Sequence, residues 1–344
     1  MNVRERMRPW IGEISNYVPG EYREGYVKLA SNENNYGPSP KVVEALRQWS
    51  GRTQIYPYRG EELREKLAEY VGVKKENIVC GNGSDELIDL VVKAFKGPNA
   101  GSYPSFAEYP IVSRINGEKY TPVKLEDDFA FNAEKFLAGA GDCNLMFLCT
   151  PNNPTGLSIP EGEIMKVVES GKIVVVDEAY YEFSGKTVVG RIRDNPNMIV
   201  LRTMAKSFAL AGLRIGYAVA DPEVIEALLK VKPPFNVNTL AEAAAIAALD
   251  DIEYMEETVK KVKLGKEAIY KALKGKFKPL ESDSNFVFAD VTPMTSEEFA
   301  EKLLEARITV RRFGKLEGYP GDYVRVNAGT EEENMKFAEA LSKM

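Results

Sequence analysis

The chain has 344 residues, 44% of them hydrophobic and 28% charged, and its 45 Lys and Arg against 51 Asp and Glu give a net charge of −6. These values are typical of a folded protein with one large and one smaller domain, and they disfavour nucleic acid or an anionic membrane as the main partner. The lack of histidine excludes a Ser-His-Asp triad, a Cys-His dyad and a His-ligated zinc site, so acid–base chemistry must use other side chains or a cofactor.

The first 28 residues are polar and turn-rich, and they contain no apolar run of the kind that a signal peptide has. We expect residues 1–28 to form an arm that lies on another surface; the alternative is a frayed tail. The longest stretch of low charge, 207–220, is too short to span a bilayer. Cys80, Cys143 and Cys149 lack C-x-x-C spacing, so we expect no disulfide framework and no metal site, and we predict a cytoplasmic protein.

Residues 29–232 alternate short β-branched runs with amphipathic helical patterns. Because the strands are apolar along almost their whole length, this pattern predicts a large α/β domain in which helices cover both faces of a mostly parallel sheet. The predicted strands are 77–80, 145–149, 172–177, 198–202 and 215–220, and the predicted helices are 85–95, 162–170 and 223–231.

A Pro-Pro pair at 233–234 marks a change of pattern. Residues 233–344 are predicted to form a smaller α+β domain. Its predicted elements are a helix over 239–273, a strand over 285–290, a helix over 296–306, strands over 308–311 and 323–327, and a closing helix from Glu331.

Residues 81–86, Gly-Asn-Gly-Ser-Asp-Glu, connect a predicted strand to a predicted helix. A glycine-rich backbone that leads into a helix N-terminus directs unpaired N–H groups at one point and can bind a phosphate. Glu86 replaces the third glycine of a dinucleotide fingerprint, and no P-loop lysine follows. The alternative is an ordinary capped helix, with Ser84 as the N-cap and Asp85 and Glu86 favouring the helix dipole.

Three further motifs follow predicted strands, at the edge where an open parallel sheet binds ligands. Asp177 ends an apolar strand, so it either meets a cation there or caps the next loop. Lys206 lies among small and apolar residues, which lower the pKa of a lysine as a Schiff-base amine requires, unless the side chain snorkels to solvent. Arg214, in the same apolar stretch, requires an anionic partner. The loop 151–156, Pro-Asn-Asn-Pro-Thr-Gly, either presents an amide or is only a turn.

Together these motifs supply a phosphate cradle, a carboxylate, a phenol, an amide, an amine nucleophile and a guanidinium, which are the groups that bind pyridoxal 5′-phosphate. The chain resembles the fold-type I aminotransferases, and within them the histidinol-phosphate aminotransferase branch. The motifs that carry the resemblance span most of the chain. They are Leu-Ala-Ser-Asn-Glu-Asn at 29–34, Tyr56-Pro57, the turn at 81–86, Pro104-Ser105-Phe106, the loop 151–156, Asp-Glu-Ala-Tyr at 177–180, the segment around Lys206, Phe-Asn-Val-Asn at 235–238, and two late arginines.

The resemblance implies a fold-type I transferase that is a homodimer, takes small-molecule substrates and uses Lys206, Asp177 and Tyr180 in catalysis. Lys206 would bind the cofactor covalently, and Asp177 would pair with its pyridine nitrogen. The other implied contacts are Asn153 and Tyr180 on the ring oxygen, Phe106 stacked on the ring, Ser84, Asp85, Thr203 and Arg214 on the phosphate, Tyr56 reaching the phosphate from the neighbouring subunit, and Tyr17, Arg311 and Arg325 on the anionic group of the substrate.

Two positions qualify these expectations. The family commonly has Ser before its Schiff-base lysine, whereas this chain has Ala205, so one phosphate hydrogen bond worth ~1 kcal/mol is expected to be missing. Arg311 and Arg312 are adjacent on a predicted strand, so only one of them can face inward, and the alternative is a solvated basic edge.

The expected reaction is transamination between histidinol phosphate and 2-oxoglutarate. Because arginines bind phosphate and carboxylate equally well, the alternative within the family is an aromatic amino acid aminotransferase. A phosphothreonine-type decarboxylase and a non-catalytic regulator on the same fold are further alternatives. Such a regulator usually needs a DNA-binding module longer than residues 1–28, and the retained Lys206 favours turnover.

Overall fold

The structure, a computed structural model, describes residues 3–14, 20 and 22–344. The strands are β1 (Val27–Leu29), β2 (Ile78–Asn82), β3 (Asn99–Tyr103), β4 (Tyr120–Lys124), β5 (Leu145–Cys149), β6 (Ile173–Asp177), β7 (Met198–Thr203), β8 (Ile215–Ala220), β9 (Lys278–Pro279), β10 (Phe286–Asp290), β11 (Ile308–Lys315) and β12 (Asp322–Asn327). The helices are α1 (Pro40–Trp49), α2 (Gly60–Val71), α3 (Ser84–Ala94), α4 (Glu108–Ile115), α5 (Ala133–Ala140), α6 (Glu161–Val168), α7 (Tyr181–Ser184), α8 (Pro222–Val231), α9 (Thr239–Leu249), α10 (Ile252–Lys274), α11 (Ser296–Glu305) and α12 (Glu331–Ser342).

The larger sheet has seven strands in the order β2-β8-β7-β6-β5-β3-β4. The sheet is mostly parallel, as the sequence predicted. Strand β8 is the exception, because it is antiparallel to both of its neighbours, which the sequence did not predict. Alternate residues of β5 belong to different hydrophobic clusters: Met146 and Leu148 pack into one, and Leu145 and Phe147 into the other. Both faces of the sheet are therefore covered, which explains why its central strands are apolar throughout.

The smaller sheet has five strands in the order β1-β11-β12-β10-β9. Its first strand comes from the N-terminal part of the chain, since Val27 pairs with Ile308 in a parallel ladder, whereas the other pairs are antiparallel. The sequence did not predict β1, which is only three residues long. The division into an arm (1–28), a large domain (29–232) and a small domain (233–344) stays a proposal.

Most predicted elements agree with the structure to within one or two residues at each end, and the ranges of β5 and β8 agree fully. The single helix predicted over 239–273 is wrong, because α9 ends at Leu249 and α10 begins at Ile252. Asp251 between them has φ −142° and ψ 45°, outside the helical region. The break lets α9 pack on α1 and α2 while α10 packs on α12.

The described part of the N-terminal segment lies against α4. The indole N–H of Trp10 donates to the carbonyl of Ile115 at 3.2 Å, and a side chain at Gly117 would collide with the same ring. Within residues 3–14, 20 and 22–344, no helix is both long enough and apolar enough to cross a membrane.

Candidate active site

A cavity lies where β5, β6 and β7 end, and most of the predicted site residues line it. These are Ser84, Asp85, Phe106, Asn153, Asp177, Tyr180, Thr203, Lys206, Arg214, Arg311 and Arg325. Tyr17 lies outside the described residues. Tyr56 does not line the cavity of its own chain. Its side chain is 73% exposed and stacks on Phe235, with 4.5 Å between ring centroids.

The predicted phosphate cradle is the turn that leads into α3. Gly83 is the N-cap residue of this helix, so the interpretation of Ser84 as the cap is wrong and the first N–H groups have no side-chain cap. Gly83 has φ +84°, and a Cβ there would lie 2.5 Å from the guanidinium of Arg214. The Arg214 guanidinium also donates to Asp85 at 2.5 Å. A helix N-terminus and a guanidinium thus meet at one point, as binding of a phosphate requires.

Two contacts that the sequence did not predict hold this turn in place. The carboxylate of Glu86 accepts from the backbone N–H of Asn82 and from the side-chain amide of Asn236, both at 2.6 Å. Gly216 on β8 lets the backbone approach closely, because a Cβ there would lie 2.5 Å from the amide nitrogen of Ser84. Glu86 and Asn236 lie in two separate motifs 150 positions apart, so neither motif alone predicts their contact.

Asp177 ends β6 and is only 2% exposed. Its Oδ1 accepts from the backbone N–H of Ala179 at 3.1 Å, and its Oδ2 accepts from the hydroxyl of Tyr109 at 2.7 Å. Burial raises the pKa of Asp177 to about 6, although both hydrogen bonds act against this shift. The carboxylate therefore caps the next loop, as one interpretation of the sequence predicted. It also faces the cavity, and its pairing with a cation there stays a prediction.

Lys206 follows β7 and lines the cavity, where its Nζ donates to the carbonyl of Ser31 at 3.3 Å. The pKa of Lys206 is lowered to about 8. Burial is the main cause, and the positive charge of Arg325 is the second. About a tenth of this amine is thus uncharged at pH 7, far more than for an ordinary lysine, and the uncharged form is the one that acts as a nucleophile or a general base.

The phenol and the amide of the predicted site are each held by a second residue. Tyr180 accepts from the side-chain amide of Asn32 at 2.8 Å, and Asn153 accepts from the guanidinium of Arg325. Arg325 also donates to the carbonyl of Ala30 at 3.0 Å. Asn32 belongs to the motif at 29–34, but that motif does not predict its contact with Tyr180, which joins residues 148 positions apart.

Of the two adjacent arginines on β11, one faces inward, as the alternation of a strand predicts. Arg311 lines the cavity, whereas Arg312 is exposed and pairs with Glu297 at 3.0 Å. Arg311 forms no hydrogen bond or ion pair with any side chain or backbone group in the described part of the chain, so it faces the cavity without a partner there. An uncompensated arginine in a cavity indicates an anionic ligand.

The donor set of the cavity fits pyridoxal phosphate. The N-terminus of α3 and Arg214 match a phosphate, Asp177 matches a protonated ring nitrogen, and Lys206 supplies an amine for an aldehyde. In the described part of the chain, no group of three or more acidic or Cys side chains is arranged to bind a metal ion.

The chain is similar to known proteins over nearly its whole length. A model of the family described as aminotransferase class I and II matches residues 24–341. The histidinol-phosphate aminotransferase of Methanococcoides burtonii is 38% identical over 98% of both chains. An aromatic amino acid aminotransferase of Nocardia farcinica is 36% identical over 96% of this chain and 95% of its own length. The structure of histidinol-phosphate aminotransferase from Sinorhizobium meliloti in complex with pyridoxal-5′-phosphate matches with a TM-score of 0.89 and 27% identity, covering 98% of this chain and 97% of that one.

Proposed function

The chain belongs to the class I and II aminotransferases, which depend on pyridoxal phosphate, and from this premise we propose that it transaminates histidinol phosphate with 2-oxoglutarate. Its predicted fold class, the fold-type I α/β architecture, is confirmed. The chain is an aminotransferase, and the assignment of roles to its individual residues is our proposal.

Pyridoxal phosphate supplies, when bound, an aldehyde that combines with amines and a ring that accepts the electron pair of the substrate Cα. Lys206 would hold the aldehyde, and its uncharged Nζ would accept the proton of that Cα once the substrate amine has displaced it. Ser84, Asp85, Thr203 and Arg214 would hold the phosphate.

Asp177 would keep the ring nitrogen protonated. At ~3 Å and an effective dielectric constant of ~20, a carboxylate and a ring cation attract each other by about 5 kcal/mol before desolvation. Since one pKa unit corresponds to about 1.4 kcal/mol, this attraction suffices to keep the nitrogen protonated at neutral pH. Tyr180 and Asn153 would contact the ring oxygen, and Phe106 would stack on the ring.

The observation that carries the proposal is the pair of arginines that face the cavity in addition to the phosphate cradle. Arg311 has no partner among the described residues, and Arg325 is held by Asn153 and Ala30. A substrate with an anionic group of its own fits this arrangement. The names of the curated relatives favour the phosphate of histidinol phosphate for that group.

The relative from Nocardia farcinica supports a second candidate, an aromatic amino acid, whose anionic group is a carboxylate. Measuring the first half-reaction, in which the amino donor reacts with the holoenzyme, distinguishes the two candidate substrates. The yellow holoenzyme is mixed with histidinol phosphate or with phenylalanine, and loss of the yellow absorbance reports transfer of the amino group. We expect histidinol phosphate to react with the higher kcat/KM. Loss of colour with phenylalanine alone would contradict the proposal.

We predict that Asp177→Asn retains bound cofactor but loses most of its turnover, because an amide cannot keep the ring nitrogen protonated. The decrease in the single-turnover rate should be at least about 100-fold. The bound cofactor is quantified by its absorbance, so that lost binding is distinguished from lost chemistry. Near-wild-type turnover of the loaded variant would show that Asp177 does not have this role.

We also propose a homodimer in which Tyr56 reaches the active site of the neighbouring subunit. Tyr56 lies outside the cavity of its own chain, within an exposed apolar patch that includes Ile55, Tyr58 and Phe235. Exposed aromatic patches of this kind mark protein interfaces. Buried, free Cys80, Cys143 and Cys149 support a reducing, cytoplasmic location.

A further inference from the structure

The carboxylate of Asp177 is held by a tyrosine that does not itself line the cavity. The hydroxyl of Tyr109 donates to Asp177 Oδ2 at 2.7 Å across a sequence separation of 68 residues. Tyr109 is fully buried, and it is not among the described residues that line the cavity. Any influence of Tyr109 on the reaction must therefore act through the residues that it touches.

The ring of Tyr109 is fixed by aromatic contacts. It lies in the first turn of α4 and stacks on Phe147 of β5, with 4.8 Å between centroids and an interplanar angle of 9°. Its edge also meets Phe106 at 5.6 Å and 87°. Phe106 lines the cavity and is the residue proposed to stack on the cofactor ring. One buried side chain thus contacts both Phe106 and Asp177.

The carboxylate of Asp177 depends on its hydrogen-bond donors because its surroundings oppose a negative charge. Burial raises the pKa of Asp177, and the negative charges of Asp85 and Glu178 act in the same direction. The hydroxyl of Tyr109 and the backbone N–H of Ala179 counter this effect by donating hydrogen bonds, one to each oxygen. Removing the hydroxyl would leave one neutral donor for a buried carboxylate, and the neutral acid would then be favoured.

We propose that Tyr109 is a positioning residue, whose hydroxyl keeps Asp177 ionised and directed at the ring nitrogen of the cofactor. The inference rests on the proposed function only in that the cavity binds pyridoxal phosphate, and it does not depend on the identity of the amino donor. Without this donor, Asp177 would be a stronger base and would take up the proton that it otherwise leaves on the ring nitrogen. The bound cofactor would then lack the positive charge that pairs with Asp177, and it would bind less tightly.

The test compares Tyr109→Phe with two matched controls. Tyr319→Phe also removes a buried hydroxyl that makes hydrogen bonds, in this case to the carbonyls of Tyr103 and Leu125, away from the cavity. Phe147→Leu disturbs the ring packing of Tyr109 but leaves its hydroxyl in place. Each apo-protein is titrated with pyridoxal phosphate, and the 15N chemical shift of the ring nitrogen is measured on labelled cofactor bound to each protein.

We expect Tyr109→Phe to raise the Kd of the cofactor about tenfold and to move the nitrogen resonance towards that of an unprotonated pyridine. The resonance in both controls should stay at the wild-type position. An unchanged resonance in Tyr109→Phe, or an equal change in Phe147→Leu, would overturn the inference. If the wild-type chain binds no pyridoxal phosphate at all, the proposed function itself fails, so the two failures are distinguishable.

Discussion

Lys206 illustrates how the environment of one side chain sets its chemistry. An ordinary lysine is almost fully protonated at neutral pH. Burial of Lys206 in the apolar segment after β7 lowers its pKa, so that more of the amine is uncharged. Arg325, on a different sheet, adds a positive charge that lowers the pKa of Lys206 further. A residue that binds the anionic substrate in our proposal thus also prepares the amine for reaction.

The pKa of Lys206, about 8, predicts how attachment of the cofactor depends on pH. Only the uncharged amine reacts with an aldehyde, so the rate of attachment to the apo-protein should rise with pH and level off above about 8. Stopped-flow measurement of the developing yellow absorbance gives the midpoint. Arg325→Gln should raise this midpoint, because it removes a positive charge. A wild-type midpoint near that of a free lysine would contradict the burial of the amine.

Ala205 is buried, lines the cavity beside Lys206, and stands where the family commonly has Ser. We predict that Ala205→Ser strengthens cofactor binding, because the added hydroxyl can donate to the phosphate. A gain of ~1 kcal/mol corresponds to about a fivefold lower Kd for pyridoxal phosphate. Fluorescence titration of the apo-protein measures the change, with Ala205→Cys as a control of similar size and weak donor strength. Equal affinities of the Ser variant and wild type would place the phosphate elsewhere.

At the level of elements, an ion pair joins the ends of β6 and β7. Arg202 and Glu178 are 3% and 1% exposed, and the guanidinium donates to the carboxylate at 2.9 Å. Glu178 also accepts from the hydroxyl of Thr187 at 2.8 Å and from the N–H of Val188 at 2.7 Å. Glu178 follows Asp177 directly, so this network fixes the backbone that carries the carboxylate of the site.

We predict that Glu178→Leu lowers the free energy of unfolding by about 3–5 kcal/mol, because Arg202 then keeps a buried charge without its partner. The double variant Glu178→Leu/Arg202→Met should recover at least about half of this loss, since neither charge then has to be desolvated. Urea denaturation of the three proteins measures both effects. A double variant no more stable than Glu178→Leu would show that the loss comes from packing and not from the unpaired charge.

At the level of the whole molecule, a shared active site predicts that two defective variants restore each other. Lys206→Ala lacks the amine and Tyr56→Ala lacks the residue that we assign to the partner's phosphate. After unfolding and refolding a 1:1 mixture, half of the dimers contain one chain of each kind, and one of their two sites is intact. Activity should then reach about a quarter of the wild-type value. A mixture no more active than the average of the two separate variants would exclude Tyr56 from the partner's site.

Five strands of the large sheet, β2 and β5 to β8, and the residues at their ends could be predicted from local sequence patterns, whereas β3 and β4 at one edge were not predicted. Buried strands such as β5 and β8 are apolar over a length that matches the element, and Asp177 and Lys206 interrupt or follow such runs. These signals are local, because hydrophobic burial and turn chemistry act on neighbouring residues. The same locality makes the motifs at 81–86 and 151–156 recognisable in the amino-acid order alone.

The way in which distant segments meet is a property of the folded chain. The pairing of Val27–Leu29 with β11, the contact of Asn32 with Tyr180 and the hydrogen bond from Tyr109 to Asp177 each join segments far apart along the chain. The break between α9 and α10 likewise follows from packing against different partners. Such contacts depend on the arrangement of several elements in space, and no pattern within a single segment contains that information.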